Sequence, residues 1–427
     1  MKILADNAMP YWEEFFLPLG TVKTFTAGEL VTDHSALPLS TKLQAYLPLV
    51  ECLLVRSTTK VDQALLDKMP SLQFVATATA GYDHFDIAAL SARGIQWYAA
   101  GGCNAQAVAQ YVVCALLQLA DEDCFLIQDK VVGIVGHGNV GSLVAIAMNA
   151  LGAKVIVYDP PQQSSLDQHK QFTCSAAENN SITVPRYVQF KDILQADIIC
   201  VHAPLNSHIG HPSRHLFDAS AFMQLDSEQY LINAGRGELI NNQALLEHFE
   251  MATKTNTRGL NVVLDVWENE PSIMTALIPY LRIASAHVAG HTLEGKANGT
   301  FMLYQQLCKR YKIPEKVQLN AILPNDNTKL TQLMQSALAD ADALDLLGAQ
   351  QLVKKMCHLV YDIQNDDRVF RHHMAQFTSF ARLRQEYPIR REFSALRLDA
   401  ADNRITALLD GIGFIISNDS TPSQLKK

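Results

Sequence analysis

Three polar segments interrupt apolar runs late in the chain: Asn233-Ala-Gly-Arg236-Gly, Asp265-Val-Trp-Glu-Asn-Glu270-Pro and Ala286-His287-Val-Ala-Gly290-His291. A histidine that moves a proton near neutral pH does so better beside a carboxylate that orients its ring and stabilises its charged form, and Glu270 and His287 are candidates for that pair. Arg236 offers a planar fork of donors that stays charged, which suits a carboxylate and the polarised oxygen next to it. Singly, each has a plain reading as a turn arginine, a loop acid or a histidine bonded to backbone. Their position downstream of a nucleotide-binding pattern makes them a set.

That pattern is Val131-Val-Gly-Ile-Val-Gly136-His-Gly138-Asn139-Val140-Gly141, a G-x-G-x-x-G that follows a β-branched run and opens a helical one. Gly136 permits the tight turn, Gly138 lets a pyrophosphate approach the backbone, and Gly141 allows helix and strand to pack closely. The helix N-terminus adds free N–H groups and partial positive charge. Asp159 ends the next candidate strand 18 residues past Gly141, near the offset of about 20 expected of an acid that binds ribose hydroxyls and repels a 2′-phosphate. The expected cofactor is NAD rather than NADP.

Positioning these groups requires strands that end beside them. Short apolar runs alternate with helical patterns to about residue 290, the signature of parallel α/β units. Candidate strands are Lys2–Ala5, Cys52–Val55, Phe74–Thr77 and Ile95–Tyr98 in a first block. Val131–Val135, Lys154–Tyr158, Ile198–His202, Tyr230–Asn233, Val262–Leu264 and Ile283–Ala284 form a second. Ala105–Ala120, apolar at helical spacing, reads as a helix bridging two domains. Gln162–Arg186 reads as a surface loop or insertion. Beyond Pro324, helical patterns over Leu330–Leu347 and Leu352–Tyr361 and a candidate strand at Phe393–Leu398 predict a separate small domain.

The chain of 427 residues has room for roughly two to four domains. Its 35 basic and 43 acidic residues give a net charge of −8, so no basic face for nucleic acid is expected, and any attraction for an anionic substrate must be local. Eight cysteines without a C-x-x-C spacing read as buried thiols in a reducing compartment. No apolar run approaches a membrane span and no signal peptide is recognisable, which predicts a cytoplasmic protein. His202, His208, His211 and His215 read as a solvated loop, so no metal site is expected; Arg390-Arg391 read as solvated cations.

The strings around Arg236, Glu270 and His287 resemble the D-isomer-specific 2-hydroxyacid dehydrogenases. Asp6-Asn-Ala-Met-Pro-Tyr11, Val55-Arg-Ser-Thr-Thr-Lys60, Ala76-Thr-Ala-Thr-Ala-Gly81-Tyr-Asp-His, Gly102-Cys-Asn-Ala105, Thr292-Leu-Glu-Gly-Lys-Ala297, Val360-Tyr-Asp362 and Arg390-Arg-Glu392 are similar to the branch of that family acting in vitamin B6 biosynthesis. The resemblance implies a flavodoxin-like substrate domain over 1–104 and 290–324, an inserted NAD-binding Rossmann domain over 105–289, and a small α+β domain over 325–427 that forms a homodimer. It implies NAD-dependent oxidation of 4-phospho-D-erythronate, with His287 as base and Arg236 and Glu270 in the active site. Gly136, Gly138, Asn139, Val140, Gly141, Asp159, Ala203, Ala234, Gly235, Arg236, Asp265 and Gly290 would contact NAD, and Ser57, Thr79 and His291 the substrate. Arg56, beside Ser57, suits a phosphate or carboxylate as well as it suits solvent. The chain departs from that branch in having His291 for a substrate-contacting Tyr, Ala203 for Thr, Gly235 for Cys and Gly101 for Pro. His291 bears directly on substrate identity, because an imidazole can become cationic and a phenol cannot.

Overall fold

The computed structural model describes residues 1–30, 40–165, 185–206, 210–324, 344–376, 379–399 and 404–417. The chain divides into two compact units, 1–105 with 291–325, and 106–290 with 326–427.

In the first unit β1 (Lys2–Asp6), β2 (Thr21–Phe25), β3 (Cys52–Val55), β4 (Phe74–Thr77) and β5 (Gln96–Ala99) form a parallel sheet in the order β2-β1-β3-β4-β5. This is the flavodoxin-like order, whose switch point lies between β1 and β3. β3 and β4 are buried along their whole length, as continuous apolar runs in a parallel sheet must be. The edge strand β2 buries only Phe25 fully, and so carries no apolar run that the sequence could reveal. The helix Leu293–Tyr311, capped by the Thr292 side chain on Gly295 N, returns the chain to this unit and buries Leu303, Tyr304 and Leu307 against the face formed by Ile3, Ala5 and Leu54.

The second unit holds β6 (Val131–Val135), β7 (Lys154–Tyr158), β8 (Arg186–Tyr187), β9 (Ile198–Val201), β10 (Tyr230–Asn233), β11 (Asn261–Leu264) and β12 (Ile283–Ala284), in the order β12-β11-β10-β9-β6-β7-β8. All its pairings are parallel, and its switch point falls between β6 and β9. The helix Ala105–Glu122 is buried almost all round from Ala107 to Ala120, as an unbroken apolar helix has to be. Only its first residue belongs to the first unit. Of the predicted insertion, 160–165 is helical and Arg186–Tyr187 joins the sheet edge; the stretch between lies outside the described residues, as do His208 and most of the predicted helix Leu330–Leu347.

The described residues of the tail group with the second unit and share its cores. Val353, Met356 and Cys357 of the helix Leu346–Val360, with Phe393, Leu398, Leu409 and Phe414, share one core with Val112, Leu116 and Val144. Phe370 of the helix Ile363–Ala375 and Phe380 of the helix Phe380–Gln385 join the core on the opposite sheet face. The tail carries a two-stranded parallel sheet, β13 (Arg397–Asp399) with β14 (Ile415–Ser417), too small to be stable without the packing around it. The tail also covers the sheet edge, since Asp367 accepts the Ala284 N–H of β12 at 2.7 Å and leaves that donor unavailable for edge pairing. The predicted strand Phe393–Leu398 is a 3-10 turn, Phe393–Ala395, followed by β13.

Candidate active site

In the second unit, β6 delivers the glycine loop to the switch point. Gly136 has φ 89°, a backbone that only glycine adopts without strain, and a Cβ there would lie 2.5 Å from the backbone of Ala203. A Cβ on Gly141 would meet the Gly136 carbonyl oxygen at 1.9 Å, so the loop closes only without one. Around Gly138 the space is open. It precedes the helix Asn139–Ala150, whose first turn has no side-chain cap, so the N–H groups of that turn face outward as an anion site.

Asp159 accepts His137 N at 2.7 Å through one oxygen and Gln162 N at 3.0 Å through the other. Each oxygen keeps a lone pair for a ribose hydroxyl. The residue therefore ties down the loop and caps a helix while remaining able to bind ribose. Donor set, open glycine and acid together fit NAD. His137, inside the fingerprint, bonds Tyr187 Oη through Nδ1 at 3.0 Å, a partner on the polar edge strand that sequence reading missed.

Arg236, Glu270 and His287 follow β10, β11 and β12. Asn233, fully buried, accepts Gly235 N at 3.1 Å and donates to the Arg236 carbonyl at 2.9 Å, fixing the turn that presents Arg236. Ala234 is buried in that turn, and a Cβ on Gly235 would sit tightly, 3.0 Å from the Val201 carbonyl oxygen and 3.1 Å from His202 Cα. Arg236 is half-buried and donates to the Gly235 carbonyl. Among the described residues no carboxylate lies within ion-pair distance of it, so its charge is available to a ligand.

His287 Nδ1 meets Glu270 Oε2 at 2.7 Å. Glu270 Oε1 accepts the Trp267 N–H at 3.0 Å. Burial alone would push the Glu270 carboxyl up, yet the bond and charge of His287, the Trp267 N–H and the charge of Arg384 together hold it below its ordinary range. With an ionised carboxylate at Nδ1, the neutral ring carries its proton there and leaves Nε2 as the acceptor.

His287 has φ 56°, a left-handed backbone that costs a non-glycine residue about 1–2 kcal/mol. Asp265 holds it there. Its carbonyl accepts His287 N at 2.7 Å, and its carboxylate accepts Ser285 Oγ at 2.6 Å, Val288 N at 2.8 Å and Ala289 N at 3.0 Å. Tyr111 extends the network to Ser285 Oγ at 2.8 Å. The Asp265 side chain, 1% exposed, thus organises the histidine loop from within. Gly290 ends that loop and the unit's first segment.

In the first unit the switch point carries an ion pair, Arg56 Nε to the fully buried Asp6 at 3.0 Å. Arg56 is partly exposed, and its charge is paired. Ser57 follows it and is exposed. Thr79, after β4, shares a 2.7 Å hydroxyl contact with Thr77, which His84 Nε2 also reaches at 3.1 Å. Burial pushes the His84 imidazole down to about 4. His291 stands directly before the capping Thr292 of the return helix.

A family model for the NAD-binding domain of D-isomer-specific 2-hydroxyacid dehydrogenases matches residues 118–289. A second model, described as a domain of unknown function, matches 333–413. The chain is 38% identical over 418 residues to the erythronate-4-phosphate dehydrogenase of Pseudoalteromonas atlantica, covering 97% of this chain and 99% of that one. It is 39% identical over 415 residues to that of Proteus mirabilis, with the same coverage. The chain belongs to the erythronate-4-phosphate dehydrogenase family. Among solved structures, D-lactate dehydrogenase of Aquifex aeolicus with NAD and lactic acid matches with a TM-score of 0.53 at 20% identity, over 73% of this chain and 96% of that one. D-2-hydroxyisocaproate dehydrogenase matches with a TM-score of 0.53 at 19% identity, over 74% and 99%. These two share the fold.

As a member of this family of NAD-dependent dehydrogenases, the chain has polar residues that the sequence reading placed on the surface and the structure does not. His202 buries both ring nitrogens, which have no partner among the described residues, and burial pushes the ring down to about 3. His215 bonds Glu268 at 2.6 Å. Arg390 is 7% exposed, lies 4.2 Å from the Tyr361 ring centroid and donates to the Ala107 and Ala289 carbonyls. Six of the seven described cysteines are buried thiols, but Cys124 is exposed; Cys174 lies outside the described residues.

Proposed function

We propose that the chain oxidises 4-phospho-D-erythronate at C2 with NAD, giving (R)-3-hydroxy-2-oxo-4-phosphooxybutanoate on the route to pyridoxal 5′-phosphate. The observation that carries this reading is the 2.7 Å pair of His287 and Glu270 in a unit whose glycine loop and Arg236 both await anions. NAD, when bound, accepts the hydride from C2. His287 Nε2 takes the hydroxyl proton, and Glu270 stabilises the imidazolium that results. Arg236 holds the substrate carboxylate and draws charge from the oxygen that becomes the carbonyl. The family resemblance gives Ser57, Thr79 and His291, all of the first unit, as substrate residues, and a cationic His291 in place of the family's Tyr suits a phosphorylated substrate.

A substrate panel followed by NADH absorbance tests the assignment. The phosphorylated acid is expected to exceed unphosphorylated erythronate in kcat/KM by at least about tenfold, the scale of one charge-assisted contact, and to exceed 3-phosphoglycerate. His291→Tyr is expected to keep that order while changing KM. Equal rates with and without the phosphate would sink the assignment, and NAD binding without any turnover would make the chain a nucleotide-binding protein instead.

The tail makes the enzyme a homodimer on this reading. Support comes from exposed apolar side chains on its helices, Leu346 and Leu347 near one end and Leu359 and Val369 further on, a pattern typical of association surfaces. Sedimentation at micromolar concentration is expected to give twice the chain mass; a monomer there refutes it. We place the enzyme in the cytoplasm, in keeping with mostly buried cysteines that form no disulfide among the described residues. No described helix is long and apolar enough to cross a membrane.

A further inference from the structure

The Glu270–His287 pair has a third charged neighbour, from a part of the chain that the nucleotide-binding pattern does not include. Arg384 Nη1 lies 3.7 Å from Glu270 Oε2, the oxygen that also holds His287. Its Nε is buried and has no partner among the described residues, so the guanidinium is not committed to a structural bond elsewhere. The placement is built. Phe380, on the same short helix, packs edge-on against Phe370, and Phe370 stacks on Trp267 with ring centroids 5.4 Å apart. Trp267 is the residue whose N–H holds the other Glu270 oxygen. Three buried aromatic rings thus connect the helix carrying Arg384 to the segment carrying Glu270. Further along, Tyr387 Oη donates to Asp366 at 2.7 Å and anchors the end of that arm.

We propose that Arg384 is a positioning residue of the acid–base pair, supplied by the tail, which keeps Glu270 ionised and in place while His287 is neutral. The need is physical. A largely buried carboxylate facing a neutral imidazole has lost its hydration and has no counter-charge until the imidazole gains a proton. If Glu270 takes up that proton itself, the His287 ring loses the acceptor that fixes its tautomer. Arg384 supplies a permanent cation on the side away from the Trp267 N–H. Among the described residues, His287 and Arg384 are the charged groups within ion-pair distance of Glu270.

The inference rests on the acid–base roles given above to Glu270 and His287. Its test compares wild type, Arg384→Ala, Arg384→Gln and Arg384→Lys as full-length enzyme, measuring kcat, KM for NAD and hydroxy acid, and the pH profile of kcat/KM. For a partly exposed ion pair, loss of the charge is expected to lower kcat about two- to fivefold. Both KM values should stay within about twofold, the acid limb should move to higher pH, and Lys should restore most of the loss. Unchanged kcat in the Ala variant, a Lys variant as poor as Ala, or a raised substrate KM with kcat intact each overturns it. Should Ala lower the melting temperature, Gln carries the comparison, since it keeps polarity and most of the length. His287→Ala in the same assay separates the two readings: turnover kept there removes the acid–base roles and this inference with them, whereas turnover lost there beside an unaffected Arg384 series removes this inference alone.

Discussion

His287→Ala is expected to lower kcat for oxidation by about 10²–10⁴, the span that general acid–base catalysis supplies, while NAD still binds. The hydroxyl proton then has no acceptor at the position where Nε2 stood, and water must take it. NAD binding measured by fluorescence should be close to wild type, because the glycine loop and Asp159 follow β6 and β7, which β11, β10 and β9 separate from β12 in the sheet. Glu270→Gln should lie between wild type and this variant: the amide retains an acceptor for the Nδ1 proton but cannot balance an imidazolium. Turnover of the folded Ala variant at the wild-type rate would remove His287 from the mechanism.

Asp265→Ala is expected to damage both stability and rate. The side chain is 1% exposed and accepts Ser285 Oγ, Val288 N and Ala289 N. Losing it strands two backbone donors in a dry interior, at about 1–3 kcal/mol each, so urea unfolding should show a loss of about 3–5 kcal/mol. His287 keeps its bond to the Asp265 carbonyl, but the residues on either side of it lose theirs to the carboxylate, so the loop that holds its left-handed backbone loosens and kcat should fall with stability. Asp265→Asn is not a mild replacement, because the amide must turn a donor toward a group that itself donates. An Ala variant with unchanged unfolding midpoint and unchanged kcat would show that the loop holds its shape without the carboxylate.

The parallel strands were legible because parallel sheets bury both faces and leave unbroken apolar runs, as in Cys52–Val55 and Tyr230–Asn233. β2 and β8 were not, since an edge strand such as Thr-Val-Lys-Thr-Phe reads like a loop. The candidate catalytic residues were legible through position, as polar residues where a strand must end, and through type. Their supports were not. Asn233, Asp265 and Trp267 act through single hydrogen bonds whose partners only the fold selects. Asp265 stood in the sequence reading as a cofactor contact, while its geometry makes it first an organiser of the histidine loop.

What the tail packs against was not legible for a related reason. Helical periodicity shows that a face is apolar without naming what covers it, so the apolar run Leu352–Tyr361 predicted a helix but not that its Val353 and Met356 share a core with Val112 and Leu116. Arg390 looked like a solvated cation because buried arginines are rare. Its burial depends on two carbonyls and an aromatic ring brought to it by distant segments.

Covering of the β12 edge by the tail has a consequence for how the enzyme comes into being. A ribosome completes β6 to β12 and the His287 loop well before it reaches Asp367, and Arg390 follows Ala289, whose carbonyl it holds, by 101 residues. Until those side chains emerge, the Ala284 N–H lacks its acceptor, the Trp267 ring lacks its cover and the nascent sheet presents an open edge. The His287 loop therefore waits for the tail rather than being finished when the nucleotide-binding fold is complete, and a chain lacking the tail would carry every fingerprint of a dehydrogenase around an unsupported loop.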